Sequence, residues 1–172
     1  MSELRLTVME GESPPAFSCG IPSIDELIRG SYAKTIFKQA LAYNIMVDGF
    51  TVGNCMIKFV RLLDEEADYY ERDKEFIALE ISYLAIDQRL QQRGLGTQAL
   101  KILIANAKRI ADHLPVRFLV IDAFKDKENW YFQSGFRFYP KAEDLRYSDT
   151  VPMRMDLINR NLVEKYTESF GG

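Results

Sequence analysis

Apolar and polar positions along the first half of the chain predict strands and helices that follow one another closely. Residues 3–8 alternate between apolar and polar side chains, which predicts a first strand. Ser23 to Glu26 have the spacing of a capping box, so a helix is expected to begin there, with a second helical segment at 31–39. Two β-prone runs flank Asp48-Gly49 and predict a hairpin.

The second half carries longer apolar runs. "EFIALEISYLAID" predicts a central strand buried on both faces. Residues 94–111 have helical periodicity, and the side chains expected to face inward are Leu95, Ala99, Ile102, Leu103 and Ile110. "VRFLVIDAF" predicts a buried strand, and "KDKENWYFQSGF" predicts a short helix ending at Gly135. "RFYP" and "VPMRMDLI" are expected to close the sheet, followed by a C-terminal helix.

This order of elements predicts a mixed α/β fold with a β-α-β unit at its centre. Residues 64–73 are rich in Asp and Glu and contain two tyrosines. Such a run is typical of a solvated excursion between strands, with a substrate-facing loop as the alternative. The 172 residues suit one domain, 1–172, with a core that needs no metal or disulfide.

Charge and cysteine usage exclude several function classes. The net charge of −3 argues against a protein that binds nucleic acid by broad neutralisation of phosphates. Two cysteines far apart and a single histidine, His113, make a zinc site improbable, so no metal is expected. Two unpaired cysteines and the lack of a signal sequence or a long apolar span predict a cytoplasmic protein without a membrane segment.

The stretch "DQRLQQRGLGTQAL" places two glycines between a buried strand and a helix. Free N–H groups and the positive end of the helix dipole favour phosphate oxygens at such a helix start. The residues also fit the dinucleotide fingerprint G-x-G-x-x-A. In that fingerprint the strand leads almost directly into the first glycine, whereas here seven residues separate Ile86 from Gly94. Only 76 residues follow Gly96, too few for the further βαβ units of that fold. A purely structural helix start is the other alternative.

The same stretch resembles the acetyl-CoA-binding segment of the GNAT superfamily of N-acetyltransferases, whose motif is Gln/Arg-x-x-Gly-x-Gly/Ala. Gln91, Gly94 and Gly96 fill its fixed positions, although Gln88 stands where the family usually has proline. "WYFQSGF" matches the family's second landmark, aromatic-Tyr-x-x-x-Gly-Phe. The resemblance covers residues 40–140 and implies a mostly antiparallel mixed sheet with a splayed parallel strand pair, flanked by helices.

A fainter likeness lies outside that region. "FSCGIPSIDELIRGSYAK" resembles the opening of GNAT enzymes related to acetyltransferase toxins, which acetylate aminoacyl-tRNA. Those toxins tend to carry a basic surface for tRNA, whereas this chain is acidic. We therefore take the likeness to indicate structural similarity to this subgroup and not its function. The acidic charge disfavours aminoacyl-tRNA as the acceptor.

The resemblance implies transfer of acetyl from acetyl-CoA to a primary amine. It also implies that the backbone from Gln92 to Thr97 holds the pyrophosphate and that a strand edge receives the pantetheine arm. The residues implied to bind the cofactor are Leu84, Ala85, Ile86, Gln91, Gln92, Arg93, Gly94, Leu95, Gly96, Thr97 and Asn129. For Asn129 the alternative is a place in the first helical turn without a cofactor contact. Tyr131 occupies the position of the family's general acid, because a phenol is protonated at neutral pH and can give a proton to the departing thiolate. A core tyrosine is the alternative for Tyr131.

The amine has to lose a proton before it can attack. Glu80, a carboxylate within the apolar central strand, is the first candidate for general base, with a structural ion pair as its alternative. Asp122 is the second candidate, with a helix cap as its alternative. By simple alternation Glu80 shares a face with Ser82, Leu84 and Ile86, but a bulge required by the splay would break that parity.

The acceptor is left open among a small-molecule amine, a protein amine and aminoacyl-tRNA. A GNAT-like domain that binds acyl-CoA without turnover is the competing hypothesis from another class. A homodimer formed through strands near 137–157 is expected only by analogy with the fold.

Overall fold

The computed structural model describes residues 2–63, 74–139 and 149–170. In these ranges seven strands form one sheet in the order β1-β2-β3-β4-β5-β7-β6. The strands are β1 (Leu4–Val8), β2 (Leu41–Val47), β3 (Phe50–Leu63), β4 (Glu75–Ile86), β5 (Val116–Phe124), β6 (Arg137–Phe138) and β7 (Thr150–Asp156). The helices are α1 (Pro22–Arg29), α2 (Ser31–Ile36), α3 (Leu95–Ala111), α4 (Glu128–Gln133) and α5 (Arg160–Phe170).

One strand pair in this sheet is parallel and the others are antiparallel. β4 and β5 pair from Ile77–Val116 to Glu80–Val120. Beyond that point β4 continues to Ile86 beside β3, and β5 continues beside β7. The two strands therefore separate, and each presents an edge to the gap between them. The predicted fold class, a mostly antiparallel mixed sheet with a splayed parallel pair, is confirmed.

A bulge in β4 lies beside the point of separation. Met56 pairs with Tyr83 and Ile57 pairs with Ile81, which leaves Ser82 as an extra residue. Ile81 contributes to the core beneath α3, whereas Tyr83 contributes to the core on the other face. Simple alternation is thus wrong for β4, because the extra residue moves every later side chain to the opposite face.

Helices cover both faces of the sheet. On one face α3 supplies four buried side chains, Ala99, Leu100, Leu103 and Ala107. Of the residues expected to face inward, Leu95, Ile102 and Ile110 are only partly buried. On the other face Ile28 of α1 packs in a cluster that includes Tyr83 and Ala85. β4 is therefore buried on both faces at its centre, as its continuous apolar run predicts.

The local predictions have mixed outcomes. The hairpin turn at Asp48-Gly49 is confirmed, with φ of 49° and 82°, as a two-residue turn with positive φ requires. The capping box is wrong: α1 is capped by Ile21 without a side-chain hydrogen bond. Pro22 starts the helix because its φ suits the first turn and it has no N–H to satisfy, so Ser23 is already inside. The acidic segment 64–73 lies outside the described residues.

Candidate functional site

The loop between β4 and α3 has the geometry of a helix N-terminus prepared for an anion. Gln92 and Gly94 both have positive φ, 61° and 78°, which turns the chain sharply into the helix. The helix ladder begins with the bond from the Gln98 N–H to the Gly94 carbonyl, 3.1 Å long. The N–H groups of Leu95, Gly96 and Thr97 precede that bond and point out of the helix start.

The two glycines of the loop are required for different reasons. Gly94 sits at φ 78°, where a side chain is strained although no atom would obstruct it. Gly96 has ordinary helical geometry, and a Cβ there would stand 3.8 Å from Ile86 and from Trp130, which is normal contact. Packing within the protein therefore does not demand glycine at position 96. A ligand that approaches the backbone closely would demand it.

Trp130 forms one wall of this loop. Its indole Nε1 donates a hydrogen bond to Thr97 Oγ1 at 3.1 Å. The same ring lies against Gly96 and stacks edge-on to Tyr131, with ring centroids 4.7 Å apart. Trp130 thus connects the helix start to the tyrosine expected to be the acid.

The Gln91 side chain is directed at the backbone of Cys19 and of Ile86, not at the helix start. Its side-chain amide donates to the Cys19 carbonyl at 2.8 Å and to the Ile86 carbonyl at 2.9 Å. The Gln88 N–H donates to the Ser18 carbonyl at 2.9 Å. These bonds fasten the N-terminal segment to the loop, so any contact from Gln91 to a cofactor has to come from its backbone.

The N-terminal segment is itself held by Asp25 of α1. The carboxylate accepts hydrogen bonds from Ser18 Oγ at 2.6 Å and from the Cys19 N–H at 2.8 Å. Desolvation acts to raise the pKa of Asp25, but these hydrogen bonds outweigh it and lower that pKa. We call this connection, from Asp25 through Ser18 and Cys19 to Gln91, the N-terminal clamp.

Asp87 begins the loop as a buried carboxylate held by Arg89. It accepts a backbone bond from Arg89 and two bonds from the Arg89 guanidinium, at 2.8 and 2.7 Å. The hydrogen bond from the Arg89 side chain is the main reason that the pKa of Asp87 is lowered. Gln92 and Arg93, which directly precede the helix start, are exposed.

The end of β4 supplies the strand edge that was expected to receive the pantetheine arm. Leu84 and Ile86 face the α3 side of the sheet and Ala85 faces the other side. In the described chain the last residue of β4 paired with β5 is Glu80, so the backbone of Leu84, Ala85 and Ile86 is paired only with β3. Asn129 lies exposed in the first turn of α4.

Tyr131 is a buried residue of α4 and packs edge-on against Trp130 and Phe136. It belongs to the core cluster that also contains Ile86 and Ala123, one residue from each separated strand. Burial raises the pKa of the Tyr131 phenol, which keeps it protonated at neutral pH. Both the general-acid role and the core-tyrosine alternative fit this placement.

Glu80 and Asp122 lie on the opposite face of the sheet, where β4 and β5 part. Glu80 pairs with Lys58 at 3.3 Å, which is the ion pair expected as its alternative role, and it accepts from Ser82 Oγ at 3.4 Å. Both carboxylates line one pocket together with Tyr139. The candidate base and the candidate acid are therefore brought to the two sides of the strand gap.

A metal site, a membrane span and a role for His113 were not expected from the sequence, and the described residues bear on each of these. In those ranges no group of three or more His, Cys, Asp or Glu side chains is arranged to hold a metal. No described helix is long and apolar enough to cross a membrane. His113 follows the end of α3, away from the loop at its start.

Three features of this region were not predicted from the sequence. They are the contact of Trp130 with the loop, the N-terminal clamp and Tyr139 beside the two carboxylates. Trp130 directly precedes Tyr131 in the family landmark, which was a usable signal. The clamp and Tyr139 depend on contacts between residues far apart in the chain, and their spacing carries no such signal.

The separated parallel pair, the bulged β4 and the glycine loop at the start of α3 define the GNAT acetyltransferase fold, and this chain has that fold. The solved structures that share it include bacterial toxins. One is titled only as a bacterial toxin, with a TM-score of 0.76, 20% identity and coverage of 97% of each chain.

A second similar structure is AtaT complexed with acetyl-methionyl-tRNAfMet, with a TM-score of 0.72, 13% identity and coverage of 96% of this chain and 99% of that one. A third is a tyrosine-to-phenylalanine mutant of the AtaT toxin bound to the C-terminus of the antitoxin AtaR and acetyl-CoA, with a TM-score of 0.69, 15% identity and coverage of 90% and 93%. No protein-family model matches the sequence, and no curated protein matches it significantly.

Proposed function

We propose that this protein is an acetyl-CoA-dependent N-acetyltransferase that transfers acetyl to a primary amine by direct attack. The observation that carries the proposal is Gly96, a glycine that the protein's own packing does not require, at a helix start with free N–H groups. A pyrophosphate is the ligand that such a start favours. The residues present therefore fit acetyl-CoA as the co-substrate.

The cofactor contacts are proposed as follows. The backbone from Gln92 to Thr97 binds the pyrophosphate, with Arg93 adding charge. The free edge at Leu84, Ala85 and Ile86 pairs with the amides of the pantetheine arm, as an added strand does. Asn129 stands at the outer end of α4 and is proposed as a further polar contact.

The reaction is proposed to occur where β4 and β5 part. The amine gives a proton to Glu80, directly or through water, and its lone pair then attacks the acetyl carbonyl carbon. A backbone N–H at the end of β4 stabilises the oxyanion. The C–S bond breaks, and Tyr131 protonates the leaving thiolate. The second proton leaves the product nitrogen and passes through water to the Tyr131 phenolate, which restores the acid. The burial that raises the pKa of Tyr131 also favours protonation of a thiolate beside it, so the transfer remains feasible.

Among acceptors, the α-amine of aminoacyl-tRNA is the first to test. A structure of the same fold over nearly its full length holds acetyl-methionyl-tRNAfMet, and another holds an antitoxin peptide. The net charge of −3 argues against a large basic surface, so small-molecule and protein amines stay in the comparison.

The test is release of free CoA thiol from acetyl-CoA, with aminoacyl-tRNA, protein N-termini and small amines as acceptors. Tyr131→Phe is expected to lower kcat at least about a hundredfold, since general acid catalysis contributes factors of this size. Tyr166→Phe, on the exposed α5, is the matched control.

Equal kcat values for wild type and Tyr131→Phe would remove Tyr131 from the mechanism. Binding of acetyl-CoA without thiol release on any acceptor would instead favour the non-catalytic acyl-CoA-binding hypothesis.

A further inference from the structure

A buried polar network lies directly after the bulge in β4, on the face of the sheet that α1 and α2 cover. Tyr83, the residue that follows Ser82, donates from its hydroxyl to Asn54 Oδ1 at 2.5 Å. The side-chain amide of Asn54 donates to Asn44 Oδ1 and to Met9 Sδ, both at 3.2 Å. Asn54 is therefore bonded through its oxygen and through its nitrogen, and Tyr83 supplies the donor to the oxygen.

The bond between Tyr83 and Asn54 is shielded from water. The two residues expose only 3% and 1% of their surface, so solvent does not replace a lost partner. Burial raises the pKa of the Tyr83 phenol, which keeps the hydroxyl a donor at neutral pH. Loss of either partner would leave a buried polar group without its bond, and this costs more than the net contribution of an ordinary hydrogen bond.

This bond distinguishes the observed register of β4 from the register without the bulge. As observed, Tyr83 pairs with Met56 and shares its face of the sheet. Without the bulge, Tyr83 would pair with Cys55, whose side chain belongs to the core beneath α3. The Tyr83 hydroxyl would then lie among apolar side chains, and the Asn54 oxygen would lose its donor. Only the bulged register keeps both polar groups bonded.

The register of β4 also sets the distance from the strand gap to the loop at the start of α3. Glu80 lies before the bulge and stays paired with Lys58 in either register, whereas Ile86 and the loop up to Gly94 lie after it. A shift of one residue would displace the end of the strand by about 3.3 Å. A cofactor held by the displaced loop would carry its acetyl group away from the point of attack. A displacement of about 1 Å can already lower a rate about a hundredfold.

We infer that Tyr83 and Asn54 form a register lock for the bulge at Ser82 and act as positioning residues for acetyl transfer. Their hydrogen bond holds the end of β4, and the loop that follows it, at the required distance from the strand gap. Both side chains act through the backbone of β4, because they are buried beneath α1 and α2. The catalytic part of this inference rests on the proposed function, whereas the lock itself is measurable without substrate.

The first test measures the lock by amide hydrogen exchange. Tyr83→Phe removes the hydroxyl and keeps the ring, and Asn54→Leu replaces the acceptor with an apolar side chain of similar size. In both variants the amides of residues 82–86 that bond to β3 are expected to exchange about tenfold faster or more, relative to the amides of β5. Tyr43→Phe, on β2 and packed against the core beneath α3, is the matched control and is expected to exchange like wild type.

The second test measures catalysis at a temperature where every variant is folded. In Tyr83→Phe the kcat for thiol release is expected to fall about tenfold or more, while the Kd for CoA stays within about twofold of wild type. A merely structural role would not separate kcat from Kd in this way. Tyr83→Phe keeps the ring packing, so it remains informative if Asn54→Leu does not fold.

Exchange that accelerates equally in β4 and β5 would overturn the register lock, because it would report only a general loss of stability. Faster exchange confined to residues 82–86 with an unchanged kcat would overturn the positioning role.

The lock and the proposed function fail separately. Where exchange accelerates locally in Tyr83→Phe but wild type releases no thiol with any acceptor, the lock stands and the acetyltransferase proposal fails. Where wild type releases thiol and Tyr83→Phe matches it in both kcat and exchange, the lock is refuted and the acetyltransferase proposal stands.

Discussion

Replacing Gln91 with methionine tests whether the N-terminal clamp stabilises the loop at the start of α3. Methionine has nearly the length of glutamine, but it cannot donate the two hydrogen bonds that Gln91 makes to the Cys19 and Ile86 carbonyls. Each neutral hydrogen bond contributes about 1 kcal/mol net, so Gln91→Met is expected to lose about 2 kcal/mol of unfolding free energy. For a chain of this size that loss lowers Tm by roughly 4–8 °C.

Urea unfolding and thermal unfolding measure this change. Gln98→Met is the matched control, since Gln98 is exposed one turn into α3. Acetyl-CoA affinity is expected to fall in Gln91→Met because the loop has lost its attachment to residues 18 and 19. If Gln91→Met and Gln98→Met unfold at the same urea concentration with the same slope, the two bonds contribute no stability and the clamp is an incidental contact.

Other residues give independent tests. Gly96→Ala is expected to fold with wild-type stability but to bind acetyl-CoA at least about tenfold more weakly. Gly94→Ala, at φ 78°, is instead expected to lose about 1 kcal/mol of unfolding free energy in urea. Wild-type acetyl-CoA affinity in Gly96→Ala would refute the proposal that this loop binds the pyrophosphate. Arg89 lowers the folded-state pKa of Asp87, so the Asp87 carboxylate stabilises the fold most when it is ionised. Wild type is therefore expected to keep its full stability advantage over Asp87→Asn above about pH 4 and to lose it as pH falls further. A difference in unfolding free energy that stays constant from about pH 7 downward in urea would contradict this. Burial raises the pKa of the Cys19 thiol to about 11 and that of Cys55 to about 12, so a disulfide reagent at about pH 8 is expected to label the native protein slowly and both thiols rapidly in urea.

The fold was largely predictable because its elements rest on local patterns. The continuous apolar run of β4, the Asp48-Gly49 turn and the periodicity of α3 each specify their element through burial or turn geometry. The start of α1 was mispredicted, since Pro22 governs a helix start more strongly than a capping-box spacing does.

The candidate site was predictable only in part, through its contiguous motifs. Gly94 and Gly96 lie within one loop, so their sequence spacing already describes their geometry. The side-chain direction of Gln91 depends on Cys19, 72 residues earlier in the chain. Tyr139 reaches Glu80 and Asp122 only after three strands have assembled, and pairwise spacing in the sequence does not encode that meeting.

The bulge at Ser82 has a consequence for anyone who compares this chain with distant relatives. When the relative lacks this bulge, a gapless alignment through β4 is correct on only one side of Ser82, because every position on the other side is assigned to the wrong surface. Substitution patterns at Glu80 would then be pooled with positions that face α3. For such a relative, an alignment with a single-residue gap at Ser82 would keep the two surfaces apart, so that variation on the Glu80 surface can be measured separately from variation beneath α3.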